Sequence, residues 1–166
     1  MMDYRIPKPE SLSGYAVHRM VSGLLGGAPG LHVDNGDHVL VRCDAPLGSD
    51  GRPVCAPLAG ALHGFELKAS VALRVAGKNR YPDVHDWHAR RAWLQAQADR
   101  QGFALLAVHV QGGRQTVEAN NGRRFWIDAT RFTGVLKVTD SSAFALALAN
   151  GVGRVGKAFG MGMLVI

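Results

Sequence analysis

The chain has 166 residues, 47% of them apolar, which suits one ordinary domain or two very small ones. No apolar run approaches the roughly 18 residues that would suggest a membrane span. The formal net charge of +6 is uneven: residues 1–61 carry five Lys and Arg against six Asp and Glu, and residues 62–166 carry fourteen against seven. Basic charge gathered in one half suits a polyanion partner for that half; a generally basic, solvated surface is the plainer alternative.

Residues 2–6 read as a short first strand that Pro7 and Pro9 end. The opening M-M-D-Y-R-I-P lacks the apolar run of a secretory signal. Ser11 or Ser13 is expected to cap a helix running to about Leu25, where Gly26 and Gly27 stop it. That helix splits into two faces: Val17, Met20, Val21 and Leu24 on one, Tyr15, His18, Arg19 and Ser22 on the other. Tyr15 and His18, three residues apart, are neighbours pointing away from the apolar stripe. An imidazole, with an ordinary pKa of about 6.5, suits proton transfer at neutral pH. A phenol beside it can donate a hydrogen bond. The alternative is that both side chains decorate a wet helix face.

Residues 26–61 read as loop-rich, with no second helix. His38–Cys43 alternates and is β-rich, hence a strand. Residues 54–58 are a candidate edge strand, confined there by Pro53 and Pro57. D-N-G-D (34–37) and G-S-D-G (48–51) are turns. Cys43 and Cys55 are expected as free thiols in a reducing cytoplasm.

Residues 65–76 alternate strongly and predict one strand, followed by a basic turn with Lys78 and Arg80. Residues 83–101 are helical, with Val84, Trp87, Leu94 and Ala98 on one side and Arg90 and Arg91 beside them; Gly102 ends the helix. His85 and His88 lack further metal ligands nearby and read as surface histidines.

Residues 103–110 form a strand. Residues 116–119 form another, joined by a hairpin turn at Asn120-Asn121-Gly122 to one long strand or two over residues 123–138. Arg114, Arg123, Arg124 and Arg131 cluster around that hairpin. Asp140 or Ser141 caps a last helix, Ser141–Asn150, which buries Phe144, Ala147 and Leu148. From about residue 62 the order is strand, helix, strands, helix, strand. That is a ferredoxin-like β-α-β-β-α-β unit with an extra hairpin, and the residues before it fit a smaller, partly eroded copy.

The final stretch, A-N-G-V-G-R-V-G-K-A-F-G-M-G-M-L-V-I, holds Gly151, Gly153, Gly156, Gly160 and Gly162 with two cations, Arg154 and Lys157. Glycine at that density lets a phosphate chain approach the backbone closely. Gly151, Gly153 and Gly156 spell G-x-G-x-x-G, and Gly151, Gly156 and Lys157 nearly spell a P-loop, with Ala158 where Ser or Thr is needed. Both motifs require a preceding strand and a following helix. This loop follows a helix and precedes a strand, so nucleotide binding of either kind is set aside.

The phrase G-V-G-R-V-G-K-A-F-G-M-G-M-L resembles the glycine-rich loop of the RAMP superfamily of CRISPR-associated RNA-binding proteins. It is similar to the end of the type I-E (CasE) branch of repeat-RNA endoribonucleases. The likeness extends back through F-T-G-V-L-K-V-T-D (132–140). G-Y-A-V-H-R-M-V (14–21) resembles that family's Y-x-x-H-R segment, and W-L-Q-A-Q-A-D-R-Q-G-F-A-L-L (93–106) its helix-to-strand junction.

The resemblance implies an α+β fold of tandem ferredoxin-like (RRM-like) RAMP domains. Residues 1–61 would be a reduced N-terminal unit, shorter than is usual in the family, and residues 62–166 an RNA-binding unit. It implies a metal-independent, cofactor-free endoribonuclease that cuts precursor CRISPR RNA within the repeat stem-loop and retains the product. A non-catalytic RNA-holding subunit is the alternative. Tyr15 and His18 would be catalytic. Arg19, Lys78, Arg80, Arg123, Arg124, Arg131, Arg154 and Lys157 would bind RNA. The partners would be repeat RNA and the subunits of a CRISPR effector complex, in the cytoplasm and away from membranes.

Overall fold

A computed structural model describes residues 1–12, 14–118 and 123–166. Ser13, Ala119 and the expected turn at Asn120-Asn121-Gly122 lie outside the described residues. Two four-stranded antiparallel sheets organise the chain. The first is built from β1 (Met2–Pro7), β2 (Gly30–Asp34), β3 (His38–Cys43) and β4 (Arg52–Pro53), in the order β2-β3-β1-β4. The second is built from β5 (Leu62–Ala69), β8 (Phe103–Gln111), β11 (Thr130–Val138) and β12 (Leu164–Val165), in the order β12-β5-β11-β8. Numbered within each set of four, both have the same ferredoxin-like order, 2-3-1-4 in one direction and 4-1-3-2 in the other.

Helix α1 (Tyr15–Leu25) covers the first sheet, burying Val17 and Val21 against Tyr4, Val39, Val41 and Cys43. Among the described residues, no second helix lies between β3 and β4. Helices α2 (Trp87–Arg100) and α3 (Ser141–Asn150) cover the second sheet around Phe65, Leu67, Phe132, Leu136, Phe144 and Leu148. Asp140 caps α3 by accepting from the Ser142 and Ala143 amides. Two ribbons interrupt this unit: β6 (Leu73–Val75) with β7 (Lys78–Arg80), and β9 (Arg114–Glu118) with β10 (Arg124–Asp128). Among the described residues, no helix is long and apolar enough to cross a membrane.

The two sheets are joined by Arg42, whose side chain is buried. Its guanidinium forms a two-point pair with Asp3 at 2.7 and 2.8 Å. It also donates to the Leu164 carbonyl at 2.8 Å and the Leu148 carbonyl at 3.3 Å. A cation from β3 thus closes the C-terminal end of α3 and the last strand, where a helix end favours positive charge.

Several expectations are corrected. Ser11 does not cap α1: the N-cap is Gly14, without a side-chain hydrogen bond. Leu24 of the apolar stripe is exposed. The loop-rich reading of residues 26–61 missed β2. Residues 54–58 are not a strand; the edge strand is Arg52–Pro53. The long strand over 65–76 breaks after Ala69, because the Val71 amide bonds the Asp128 carboxylate instead of a neighbouring strand. Helix α2 starts at Trp87, which is 51% exposed, and its buried stripe is Arg90, Trp93, Leu94 and Ala98.

Candidate active site and nucleic-acid interface

Burial of Val17 and Val21 turns the opposite face of α1 outward. Tyr15 and His18 lie on that face, both half-buried, with ring centroids 5.6 Å apart and tilted by 54°. The His18 amide closes the first turn on the Gly14 carbonyl at 3.3 Å. Arg19 is exposed beside them.

Three elements meet at this face. A short 3-10 turn, Lys157–Phe159, in the middle of the glycine-rich loop packs against α1 and β2. The β9–β10 ribbon packs against that turn: Phe125 meets Phe159 edge-on at 5.8 Å, and Val117 and Ile127 cluster with Met161. The ribbon and α1 enclose a cleft of about 470 Å³, lined by Tyr15 and Arg19 from the helix and by Thr116, Glu118 and Arg124 from the ribbon. Arg124 pairs with Glu118 at 2.9 Å at the rim of the cleft, and both side chains remain largely exposed.

Beneath the pair lies a polar cluster that sequence reasoning missed. His32 on β2 is 5% exposed. Burial, and then the nearby charge of His18 and Lys68, pushes its pKa down to about 4, with Asp34 acting the other way. His32 is therefore neutral at physiological pH. Lys68 on β5 is half-buried, and burial lowers its pKa; Arg131, its register partner on β11, adds to that, while Asp34 opposes it. The glycine loop is seated on this cluster: the Gly162 amide donates to the Lys68 carbonyl at 2.6 Å, and Gly160 lies against His32.

The remaining candidates divide. Arg131 pairs with Glu66 at 3.4 Å on the exposed face of the second sheet. Arg123, just before β10, is exposed on the ribbon that forms the cleft. Lys78 and Arg80 are exposed on β7 and line neither the cleft nor the larger cavity described next. Arg154 and Lys157 line a separate cavity of about 940 Å³ behind the glycine loop, together with Arg74 and Arg100, which the sequence did not single out. Lys157 also donates to the Asn150 carbonyl, so it closes the end of α3. The loop is thus a partition, with the Tyr15–His18 face on one side and a basic cavity on the other.

Both cysteines are free thiols. His88 stacks on Trp87 at 3.5 Å. Among the described residues, no three His, Cys, Asp or Glu are grouped to hold a metal.

The sequence model of the family described as CRISPR associated protein matches residues 60–166. The chain belongs to that family. No curated protein matches it in sequence. Among solved structures, this CRISPR-associated protein is similar to Thermus thermophilus Cse3 bound to an RNA representing a pre-cleavage complex, at TM-score 0.81 and 23% identity over 99% of this chain and 97% of that one. It is also similar to the CRISPR-associated protein Cas6e from Escherichia coli K-12, at TM-score 0.77 and 20% identity, covering 99% and 98% of the chains. A chain of a CRISPR RNA-guided surveillance complex matches at TM-score 0.72 and 21% identity, covering 99% and 98%. These likenesses establish the fold across nearly the whole chain.

Proposed function

We propose that this protein is a CRISPR repeat-RNA endoribonuclease, cutting precursor RNA within the repeat stem-loop. The observation that carries the reading is the side-by-side placement of Tyr15 and His18 where α1, the basic ribbon and the glycine loop meet. Its solved relatives support it. Cse3 is a CRISPR endoribonuclease caught with RNA, and the same fold sits in an RNA-guided surveillance complex.

The reaction uses the substrate's own 2′-hydroxyl. That hydroxyl loses its proton as its oxygen bonds the adjacent phosphorus, and the P–O5′ bond breaks. The O5′ oxygen takes up a proton. The products are a 2′,3′-cyclic phosphate and a 5′-hydroxyl. His18 moves one of these protons as general acid or base. Tyr15 orients a reacting oxygen by hydrogen bonding, and Arg19 and Arg124 lie along the same cleft to stabilise charge on the phosphorane. No step calls for a metal or a cofactor. Arg123 beside the ribbon and Arg131 on the second sheet are exposed to meet the stem, which in A-form is recognised largely by shape and phosphate contacts. In this reading residues 1–61 carry the catalytic helix and residues 62–166 hold the RNA. The protein keeps its product and works in the cytoplasm beside other effector subunits.

The test is a denaturing gel of labelled repeat hairpin with EDTA present, comparing wild type with His18→Ala. Cleavage by wild type alone, with RNA binding retained by the variant, is the expected result. Binding without cleavage by either protein would leave an RNA-holding subunit instead.

A further inference from the structure

The cavity behind the glycine loop lies on the far side of the loop from Tyr15 and His18. Four cations line it: Arg74 from β6, Arg100 from the last turn of α2, and Arg154 and Lys157 from the loop. Among the described residues, no carboxylate lines it. Cations gathered without counter-charge in a concave site raise the local concentration of anions. Arg74 is opposite Asn79 in the β6–β7 ribbon, and both residues face the cavity. By strand alternation Lys78 and Arg80 point the other way. The ribbon therefore presents one specific cation here rather than a general basic surface.

Among the described residues, two polar atoms in the walls have no partner. The Ser70 hydroxyl is buried without a hydrogen bond, in a residue that is 2% exposed. Gln101 donates its amide to the Gly151 carbonyl at 3.3 Å, which leaves its buried Oε1 unpaired. Each atom exposes less than 1 Å², and a rotation of its side chain would bring a donor hydroxyl and an acceptor oxygen to a phosphate oxygen and a ribose 2′-hydroxyl. A volume of about 940 Å³ has room for such groups.

We infer that this cavity binds the sugar-phosphate backbone of the unpaired RNA flanking the repeat hairpin. The inference rests on the repeat-RNA reading above and adds a second binding site to it. The glycine loop lies between the two sites, so one strand crossing over it would run from the Tyr15–His18 face into the cavity. The cations come from separate stretches of chain, which suits a linear polyanion.

The test compares two RNAs, the bare repeat hairpin and the same hairpin with unpaired nucleotides on both sides, by salt-dependent binding titrations. The proteins are wild type and Arg74→Glu/Arg100→Glu, both sites being exposed and outside the cleft. Wild type should bind the extended RNA about tenfold tighter than the bare hairpin, with a steeper salt slope; each phosphate lost should lower that slope by about 0.7. The double variant should lose this gain and keep its affinity for, and cleavage of, the bare hairpin. Deoxyribose in the unpaired segments should weaken the gain in wild type. Equal binding of both RNAs by wild type overturns the inference. So does a gain that survives in the variant, which would leave the cavity to an acidic protein segment. If wild type binds neither RNA, the repeat-RNA reading itself fails, a result distinct from both.

Discussion

The Arg90 guanidinium is ion-paired with the Asp128 carboxylate at 2.6 Å, and both side chains are shut off from water. The same guanidinium bonds the Thr130 hydroxyl and the carbonyls of Pro82 and Asp83. The carboxylate also accepts from the Val71 amide at 2.9 Å and the Thr130 hydroxyl at 2.8 Å. One pair thus fixes the start of α2, the break after β5 and the root of the β9–β10 ribbon. Asp128→Ala should remove about 3–5 kcal/mol of stability, because it leaves a buried cation uncompensated. Urea unfolding would measure this, and a loss below about 1 kcal/mol would mean the pair behaves like a surface one.

Acid should destabilise the protein through His32. Its folded pKa, about 4, lies below the ordinary histidine value of 6.5. The unfolded chain therefore binds the proton first as pH falls, so stability is full above about pH 6.5 and declines toward pH 4. A depression of that size corresponds to about 3 kcal/mol. The groups acting on His32 are His18, Asp34 and Lys68. Carboxylates also titrate near the acid end, so the measurement is the difference between wild type and His32→Gln in chemical unfolding at pH 7, 6, 5 and 4. The variant should show a shallower decline; parallel curves would mean that His32 is solvated.

The amphipathic face of α1, the Asp140 cap and the alternation of β3 were legible because each is a local pattern. The break after Ala69 was not, since Val71 is buried and side-chain alternation continues through it while backbone pairing stops. Strand β2 was hidden by a central histidine that looks polar but is buried. Arg90 was placed beside the apolar stripe rather than in it, because its partner, Asp128, is 38 residues away. At the site, spacing alone made Tyr15 and His18 neighbours. Arg74 and Arg100 join Arg154 and Lys157 only in three dimensions, each being an ordinary surface residue within its own element.

Two glycines in the loop should respond differently to alanine. Gly151 has φ +76°, and a Cβ there would lie 2.7 Å from the Gly162 carbonyl oxygen, a backbone atom. Gly160 has φ +77°, but its nearest neighbours would lie at 3.5 Å. Gly160→Ala carries only the left-handed backbone penalty, about 1–2 kcal/mol. Gly151→Ala adds a clash that must displace the loop, so it should lose more stability and also weaken RNA binding. Thermal melts and hairpin titrations on both variants would check this, and equal effects would contradict the geometry.

The Tyr15 hydroxyl can be separated from its ring. The ring lies 5.6 Å from His18 and at the edge of the cleft, so Tyr15→Phe keeps the packing and removes one hydrogen-bonding group. If that group orients a reacting oxygen, single-turnover cleavage of the repeat hairpin should fall by about 10²-fold with RNA affinity unchanged. His18→Ala should cost at least as much, about 10²–10⁴-fold, since it removes the proton carrier. The double variant should then be little slower than His18→Ala alone, because the two groups act on the same step. Wild-type cleavage by Tyr15→Phe, with loss only in Tyr15→Ala, would assign Tyr15 to packing. His18 would then carry the proton chemistry with the cations of the cleft alone.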